Sequence, residues 1–321
     1  MKKVVAVIVT VIILVLAGAA GYLKFLLPDV DAAPQISVEQ TPDRIRRGEY
    51  LANHVTACMD CHSTRDWSRF SGPLATGTLG KGGEYFGPEM GFPGSFYSRN
   101  LTPANLGSWT DGEIFRAITS GVDKHGKALF PVMPYAYYAQ MDKEDVLDII
   151  AYIRSLPPIE NKAPESVPAF PMNFLINTMP VRPAFTQRPA KENRAAYGKY
   201  LVTVAACMDC HSPVDKGKVI PEKAFSGGRE FELPGGTLRS ANITPDTATG
   251  IGTWPEHMFV ERFKGYEHPE NMPAVEPTDY NTLMPWSMYA GMDTTDLKAI
   301  YAYLTSLSPI RHEVEKYTPH H

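Results

Sequence analysis

The chain has 321 residues, enough for two domains of roughly 100–200 residues each. Apolar residues make up 44% and charged residues 21%, a balance that supports buried cores and excludes a disordered chain. A net charge of −4, from 31 Lys plus Arg against 35 Asp plus Glu, excludes the basic face of a nucleic-acid binder. The four cysteines form two tight pairs far apart, which excludes a disulfide-stapled scaffold.

Met1-Lys2-Lys3 is a short basic start, followed by uncharged, mostly apolar residues from Val4 to Leu23. About twenty such residues match the thickness of a bilayer core. The apolar surface continues past Lys24 to Leu27, as expected for a retained anchor over 1–27, while Ala17-Gly18-Ala19 offers the cleavage site of a signal peptide. Either reading puts the rest of the chain outside the cytoplasm, because the lysines stay on the inner side. Residues 28–41 read as a linker.

Ala57-Cys58-Met59-Asp60-Cys61-His62-Ser63 recurs unchanged at 206–212, an offset of 149. Further landmarks repeat in order: Phe70-Ser71-Gly72 with Phe225-Ser226-Gly227, Asn100 with Asn242, Trp109 with Trp254, and Met133-Pro134 with Met284-Pro285. The offset drifts between 142 and 155, so insertions fall in loops between landmarks. The pattern predicts a duplicated domain, over 42–158 and 191–311.

Each copy reads as helical. Thr41-Pro42 is a cap followed by proline at the first helical position. Thr110 with Glu113 and Thr253 with Glu256 have capping-box spacing. Asp142 and Asp293 each cap a last helix, over Val146 to Leu156 and Leu297 to Leu307, before a proline. Glycine- and proline-rich loops lie between the helices, and no stretch offers the alternation of a strand. The expected fold is all-α: two tandem domains behind an N-terminal transmembrane helix. Residues 159–190 form a Pro-rich linker and 312–321 a tail.

Two thiols three residues apart on one helical turn reach the two vinyl groups of a haem, and the adjoining imidazole lies under the iron. Cys58, Cys61 and His62, and Cys207, Cys210 and His211, are therefore read as two haem c attachment sites. A four-thiolate zinc site would have to join two domains and leave both histidines idle. A thioredoxin-like redox pair lacks its strand–helix context. For the sixth ligand, Met133 lies 71 residues after His62 and Met284 lies 73 after His211, each in a Met-Pro-aromatic turn before the last helix. Proline fixes that backbone and points to a held thioether. Met90, Met179 and Met272 lack a duplicated counterpart, and Met141 and Met292 suit the core. Trp109, Trp254, Asn100 and Asn242 are either haem-pocket residues or packing and turn residues. The Gly72-Pro73 carbonyl is a candidate to orient His62 through its other ring nitrogen. His54, His125, His257 and His268 are not duplicated cleanly and read as structural, and His312, His320 and His321 as solvent-exposed.

On these residues each half resembles a class I cytochrome c domain. The wider pattern, Asn-[Leu/Ile]-Thr-Pro, a duplicated tryptophan, Met-Pro-[Tyr/Trp] and Met-Asp before the last helix, resembles the cytochrome c subunits of membrane-bound periplasmic alcohol and gluconate dehydrogenases. Those subunits carry three haem domains, whereas this chain has two attachment motifs. The resemblance implies an electron carrier and not an enzyme: two haem c groups passing electrons between a dehydrogenase or quinol-oxidising complex and a terminal oxidase, with Met133 and Met284 completing the iron coordination. It implies a single-pass inner-membrane protein with its haem domains in the periplasm, and redox proteins rather than nucleic acid as partners. A subunit that holds an oxidoreductase at the membrane is a variant of that reading. The rival is a dihaem peroxidase, which needs one haem with an open distal position.

Overall fold

A computed structural model describes residues 1–320; His321, expected to be exposed, lies outside the described residues. The first helix, α1 (Lys2–Phe25), has no buried residue and is long and apolar enough to cross a membrane. Helix α2 (Pro42–Tyr50) starts where expected, with the Thr41 hydroxyl accepting the Arg44 N–H at 3.3 Å. A π-turn over Leu51–Val55 extends it, and a single helical turn, α3 (Cys58–Cys61), follows.

The π-turn has a visible cause. Gly48 to Cys58 spans ten residues, whereas the matching Gly198 to Cys207 spans nine. The extra residue is absorbed by one widened turn, closed by the Thr56 N–H on the Leu51 carbonyl at 2.8 Å. The second copy closes the same place with an ordinary α-helical bond, Ala205 to Leu201.

The first copy continues with strands β1 (Tyr85–Phe86) and β2 (Gly94–Tyr97), then helices α4 (Pro103–Leu106), α5 (Asp111–Ser120), α6 (Tyr135–Tyr138) and α7 (Lys143–Ser155). The linker contributes β3 (Val167–Pro168) and a short helix, α8 (Met172–Leu175). The second copy holds α9 (Arg194–Val204), α10 (Cys207–Cys210), strands β4 (Val214–Asp215), β5 (Lys218–Val219), β6 (Glu230–Leu233) and β7 (Gly236–Arg239), helices α11 (Glu256–Lys264), α12 (Trp286–Ala290) and α13 (Thr294–Thr305), and a tail strand β8 (Tyr317–Pro319).

The all-α expectation is therefore corrected to mixed α and β. Three small antiparallel sheets are present, in strand order β1-β2-β3, β4-β5 and β6-β7-β8. Strands of two to four residues are too short to show a period of two. Two of the sheets also recruit a strand from segments read as linker and tail. Two caps are corrected as well: α11 begins after Pro255, with no side-chain cap, so Thr253 and Glu256 do not form a capping box, and Asp293 stands before α13 without a side-chain hydrogen bond to it. Thr110 and Glu113 do form one.

In each copy the first helix crosses the last at a glycine. A Cβ on Gly48 would stand 1.9 Å from the Asp148 carbonyl oxygen, and one on Gly198 1.8 Å from that of Ala299. Only a residue without a side chain lets α2 meet α7, and α9 meet α13, this closely. The buried apolar core runs through both halves, from Leu51, Val55, Ile149 and Ile150 to Leu201, Leu297 and Ile300.

Candidate functional site

The two pentapeptides adopt the same local structure. Ala57 and Ala206 stand in the left-handed region, at φ 48° and 52°, and turn the chain into the single turns α3 and α10. All four cysteines are free thiols. Burial pushes Cys61 and Cys207 up to about 12 and Cys210 up to about 11, and raises Cys58, so the sulfurs are held as neutral thiols. Among the described residues no three His, Cys, Asp or Glu side chains converge as a metal cluster.

His62 Nδ1 lies 2.7 Å from the Arg99 carbonyl oxygen, and His211 Nδ1 lies 2.8 Å from that of Ala241. A carbonyl only accepts, so Nδ1 carries the proton and Nε2 keeps its lone pair. Burial lowers both imidazole pKa values and keeps the rings neutral. Both histidines nevertheless are only half-buried. The orienting carbonyl is thus not the one expected at Gly72-Pro73.

The duplicated asparagines explain how those carbonyls are held. Asn100 Oδ1 accepts from the Thr102 N–H and hydroxyl at 2.8 and 2.7 Å, and its Nδ2 donates to the Ile159 carbonyl at 2.8 Å. Asn242 repeats this with Thr244 and the Ile310 carbonyl. Each asparagine ties its turn to the chain leaving the last helix and fixes the preceding residue's carbonyl over the imidazole. Trp109 and Trp254 pack against the core, and their backbone carbonyls accept from Arg154 and Tyr301.

Met133 and Met284 are half-buried, each just before the short helix, α6 or α12, that follows its proline. Each helix is tied to its own attachment loop. The Tyr138 hydroxyl donates to the Thr56 carbonyl at 3.0 Å, and that of Tyr289 to Ala205 at 3.1 Å. The Tyr135 hydroxyl, two residues beyond Met133, is buried with no hydrogen-bond partner. Free thiols beside an imidazole whose Nε2 is left without a partner among the described residues fit a haem at each pentapeptide, and in the first copy the orphaned Tyr135 hydroxyl lies beside the Met-Pro loop as well. Met141 and Met292 are fully buried core residues, and Met90 lines a smaller cluster around Phe86 and Phe96 that also includes Cys61.

The two motifs share a neighbourhood. Burial and the nearby Cys207, Cys210, Asp60 and Cys61 raise the Tyr289 pKa well above its ordinary value, so this one ring stands close to both cysteine pairs. Burial and the neighbouring Asp209 and Cys210 likewise raise Tyr137, and the first copy's α6 packs against the second copy's α9.

Several residues of this region escape sequence reasoning. Asp60 pairs with Arg65 at 3.0 Å, and Arg65 with Glu84 at 2.8 Å, in a buried network that the Trp67 indole N–H joins. The second copy has only Asp209 with Arg229, more exposed. His54 Nδ1 lies 2.9 Å from the Met288 carbonyl, across the two copies. His312, expected to be exposed, is half-buried with Nδ1 3.0 Å from the Ser226 carbonyl. A polar groove of about 640 Å³ lined by Arg47, Arg188 and Lys191 lies along the linker, away from both pentapeptides in the sequence.

Residues 195–308 match the cytochrome c family model. The chain is 29% identical over 307 residues to the cytochrome c subunit of a quinone alcohol dehydrogenase of Gluconacetobacter polyoxogenes, covering 88% of this chain and 60% of that protein. It is 28% identical to the gluconate 2-dehydrogenase cytochrome c subunit of Pantoea cypripedii, over 66% of this chain and 48% of that one. A diheme cytochrome c-type protein of Cereibacter sphaeroides is 27% identical, with 73% and 77% covered. The chain spans roughly half to three fifths of the length of the dehydrogenase subunits it matches. Over residues 195–308 the chain is similar to cytochrome c domains, and over most of its length to the cytochrome c subunits of alcohol and gluconate dehydrogenases.

Proposed function

We propose that the chain is a membrane-anchored dihaem electron carrier that serves a dehydrogenase. One haem c is held in each half, over 42–158 and 191–311. Cys58 and Cys61 form the thioethers to the first and Cys207 and Cys210 to the second. His62 with Met133, and His211 with Met284, are the axial ligands. The observation that carries this reading is the repeated imidazole–carbonyl contact beside free thiols, at 2.7 and 2.8 Å. It leaves each Nε2 free to bind a metal.

When bound, the haem supplies one-electron exchange between ferric and ferrous iron. The Arg99 and Ala241 carbonyls keep each imidazole neutral and oriented, and Met133 and Met284 would complete the hold on each iron and leave no position for a substrate. The closeness of Tyr289 to both cysteine pairs supports electron exchange between the two halves. α1 is the anchor, with Lys2 and Lys3 on the cytoplasmic side and the haem domains in the periplasm. A dehydrogenase is the donor, in line with the relatives' names, and a terminal oxidase or comparable complex the acceptor.

The test is near-infrared magnetic circular dichroism of the oxidised holoprotein, with a haem-to-protein ratio measured alongside. Two haems per chain and methionine–histidine signals at both irons, lost one at a time in Met133→Ala and Met284→Ala, are expected. A high-spin or bis-histidine site would overturn the ligand assignment for that half. Measurable peroxide turnover at such a site would favour the peroxidase.

A further inference from the structure

We propose that the linker segment 166–181 lies in the interfacial layer of the bilayer beside the outer end of α1, and so sets how close the first haem site stands to the membrane. The proposal rests on α1 crossing a bilayer. Residues 166–181, Ser-Val-Pro-Ala-Phe-Pro-Met-Asn-Phe-Leu-Ile-Asn-Thr-Met-Pro-Val, carry no charge over sixteen positions. The open face carries large apolar side chains together with the uncharged Asn173 and Thr178. The inner face, Met172, Ile176 and Met179, packs on Phe86 and Phe96, in the cluster that includes Cys61. The outer face leaves Phe170 82% exposed, with Val167 and Leu175 also open. Three large apolar side chains left open on an uncharged face of mixed polarity suit the interfacial layer, where apolar and polar groups meet, and protein covers only the other face here.

The contact with α1 identifies the other cover. The Asn177 Nδ2 donates to the Leu23 carbonyl at 2.9 Å, and α8 packs against the last turns of α1. Counting from Val4, where the charges end, Leu23 is the twentieth residue. At about 1.5 Å per residue that is roughly 30 Å, the thickness of the hydrocarbon core. The segment therefore meets α1 where hydrocarbon gives way to headgroups. Phe25 and Leu26 are 78% and 69% exposed at this level, beside Tyr22 and Lys24. Amphipathic aromatics and a snorkelling lysine are the side chains that favour this layer. Arg182, the first charge after the segment, pairs with Asp29 at 2.8 Å and Asp31 at 3.1 Å and ties the linker to the chain leaving α1.

The experiment uses the full haem-loaded chain in lipid nanodiscs of phosphatidylcholine and phosphatidylglycerol. The native cysteines are consumed as thioethers, so a nitroxide label goes to one introduced cysteine at a time: Phe170→Cys, Leu14→Cys within α1, or Glu222→Cys on the second half. An unchanged haem absorption spectrum verifies folding of each variant. Power-saturation electron paramagnetic resonance then compares collisions with oxygen and with a water-soluble nickel chelate. The expected result is a severalfold lower nickel accessibility at 170 than at 222, with position 14 shielded most. Position 170 as open to nickel as 222, with position 14 shielded, would overturn the proposal and leave the anchor intact. Positions 14 and 170 both open would overturn the membrane reading itself. Shielding of 170 seen only in membranes with a copurified protein, and absent in lipid-only nanodiscs, would assign the face to a protein partner and overturn the proposal.

Discussion

The Tyr50 hydroxyl donates to Asp296 Oδ2 at 2.8 Å, from the first copy's opening helix to the second copy's closing one. The contact is reciprocated, because the Tyr200 hydroxyl donates to Asp145 Oδ2 at 2.6 Å in the opposite direction. Both carboxylates are fully buried, yet their other partners differ. Asp145 also holds Arg47 and Arg188, whereas Asp296 holds the Tyr197 hydroxyl and Lys191. Two guanidinium partners outweigh one ammonium and one hydroxyl in compensating a buried charge. Tyr50→Phe should therefore destabilise more than Tyr200→Phe, by about 1.5–3 kcal/mol against about 1 kcal/mol. Denaturant unfolding of the holoprotein followed by circular dichroism measures both; equal losses would show that the two carboxylates are equally supported.

Ser71 of the first copy holds the second copy's Met-Pro loop. It is buried at φ 67°, its hydroxyl donates to the Met284 carbonyl at 2.6 Å, and the Ser71 hydroxyl oxygen accepts from the Trp286 N–H at 3.1 Å. Its duplicate, Ser226, donates locally to the Lys223 carbonyl instead. Ser71→Ala should remove both bonds to the loop, while the Trp286 N–H and the Met284 carbonyl keep each other as partners at 2.8 Å, so the loss is about 1 kcal/mol. The far-red methionine–iron band of the oxidised protein should weaken for the second haem alone, with its potential shifted. Ser226→Ala should leave both bands intact. Equal weakening at both haems in Ser71→Ala would assign the serine to general packing.

Much of the site is legible because its chemistry demands fixed local spacing: two thiols and an imidazole on one turn, and a methionine beside a proline. The groups that orient the imidazoles are not, since Arg99 and Ala241 lie 37 and 30 residues away and contribute only backbone oxygen. Helix starts are readable where a side chain caps them, as at Thr41, Thr110 and Asp142, and misplaced where Pro255 starts the helix without one. The crossing glycines, Gly48 and Gly198, carry no periodic signal and matter only once a second helix lies on them. The sheets are missed because strands of two to four residues show no period, and because β3 and β8 pair with strands more than seventy residues away.

The buried network of Asp60, Arg65 and Glu84 has two carboxylates around one guanidinium, whereas Asp209 and Arg229 are matched. Negative charge near a haem stabilises ferric iron. Glu84→Gln should therefore raise the potential of the first haem and leave the second in place. A unit charge about 15 Å away at an effective dielectric near 20 contributes about 1 kcal/mol, which corresponds to some tens of millivolts. Spectroelectrochemical titration resolves the two couples. A fall in potential, or an equal rise in both, would contradict the charge argument.

The inserted residue that widens the turn at Leu51–Val55 brings His54 against Gly291 of the second copy. A Cβ on Gly291 would stand 2.1 Å from His54 Nδ1, the atom that lies 2.9 Å from the Met288 carbonyl. Gly291 itself has ordinary right-handed backbone geometry, at φ −74°, so alanine there is opposed by the ring and not by the chain. Gly291→Ala should cost about 1–3 kcal/mol through overpacking. His54→Ala alone should cost about 1 kcal/mol through the lost hydrogen bond. Once His54 is an alanine, however, the new methyl group has room, and the double variant should be no less stable than His54→Ala by more than about 0.5 kcal/mol. The same unfolding measurement on the two single variants and the double variant tests this. Strictly additive losses would mean that the imidazole yields freely and that the π-turn does not press the two copies together at this point.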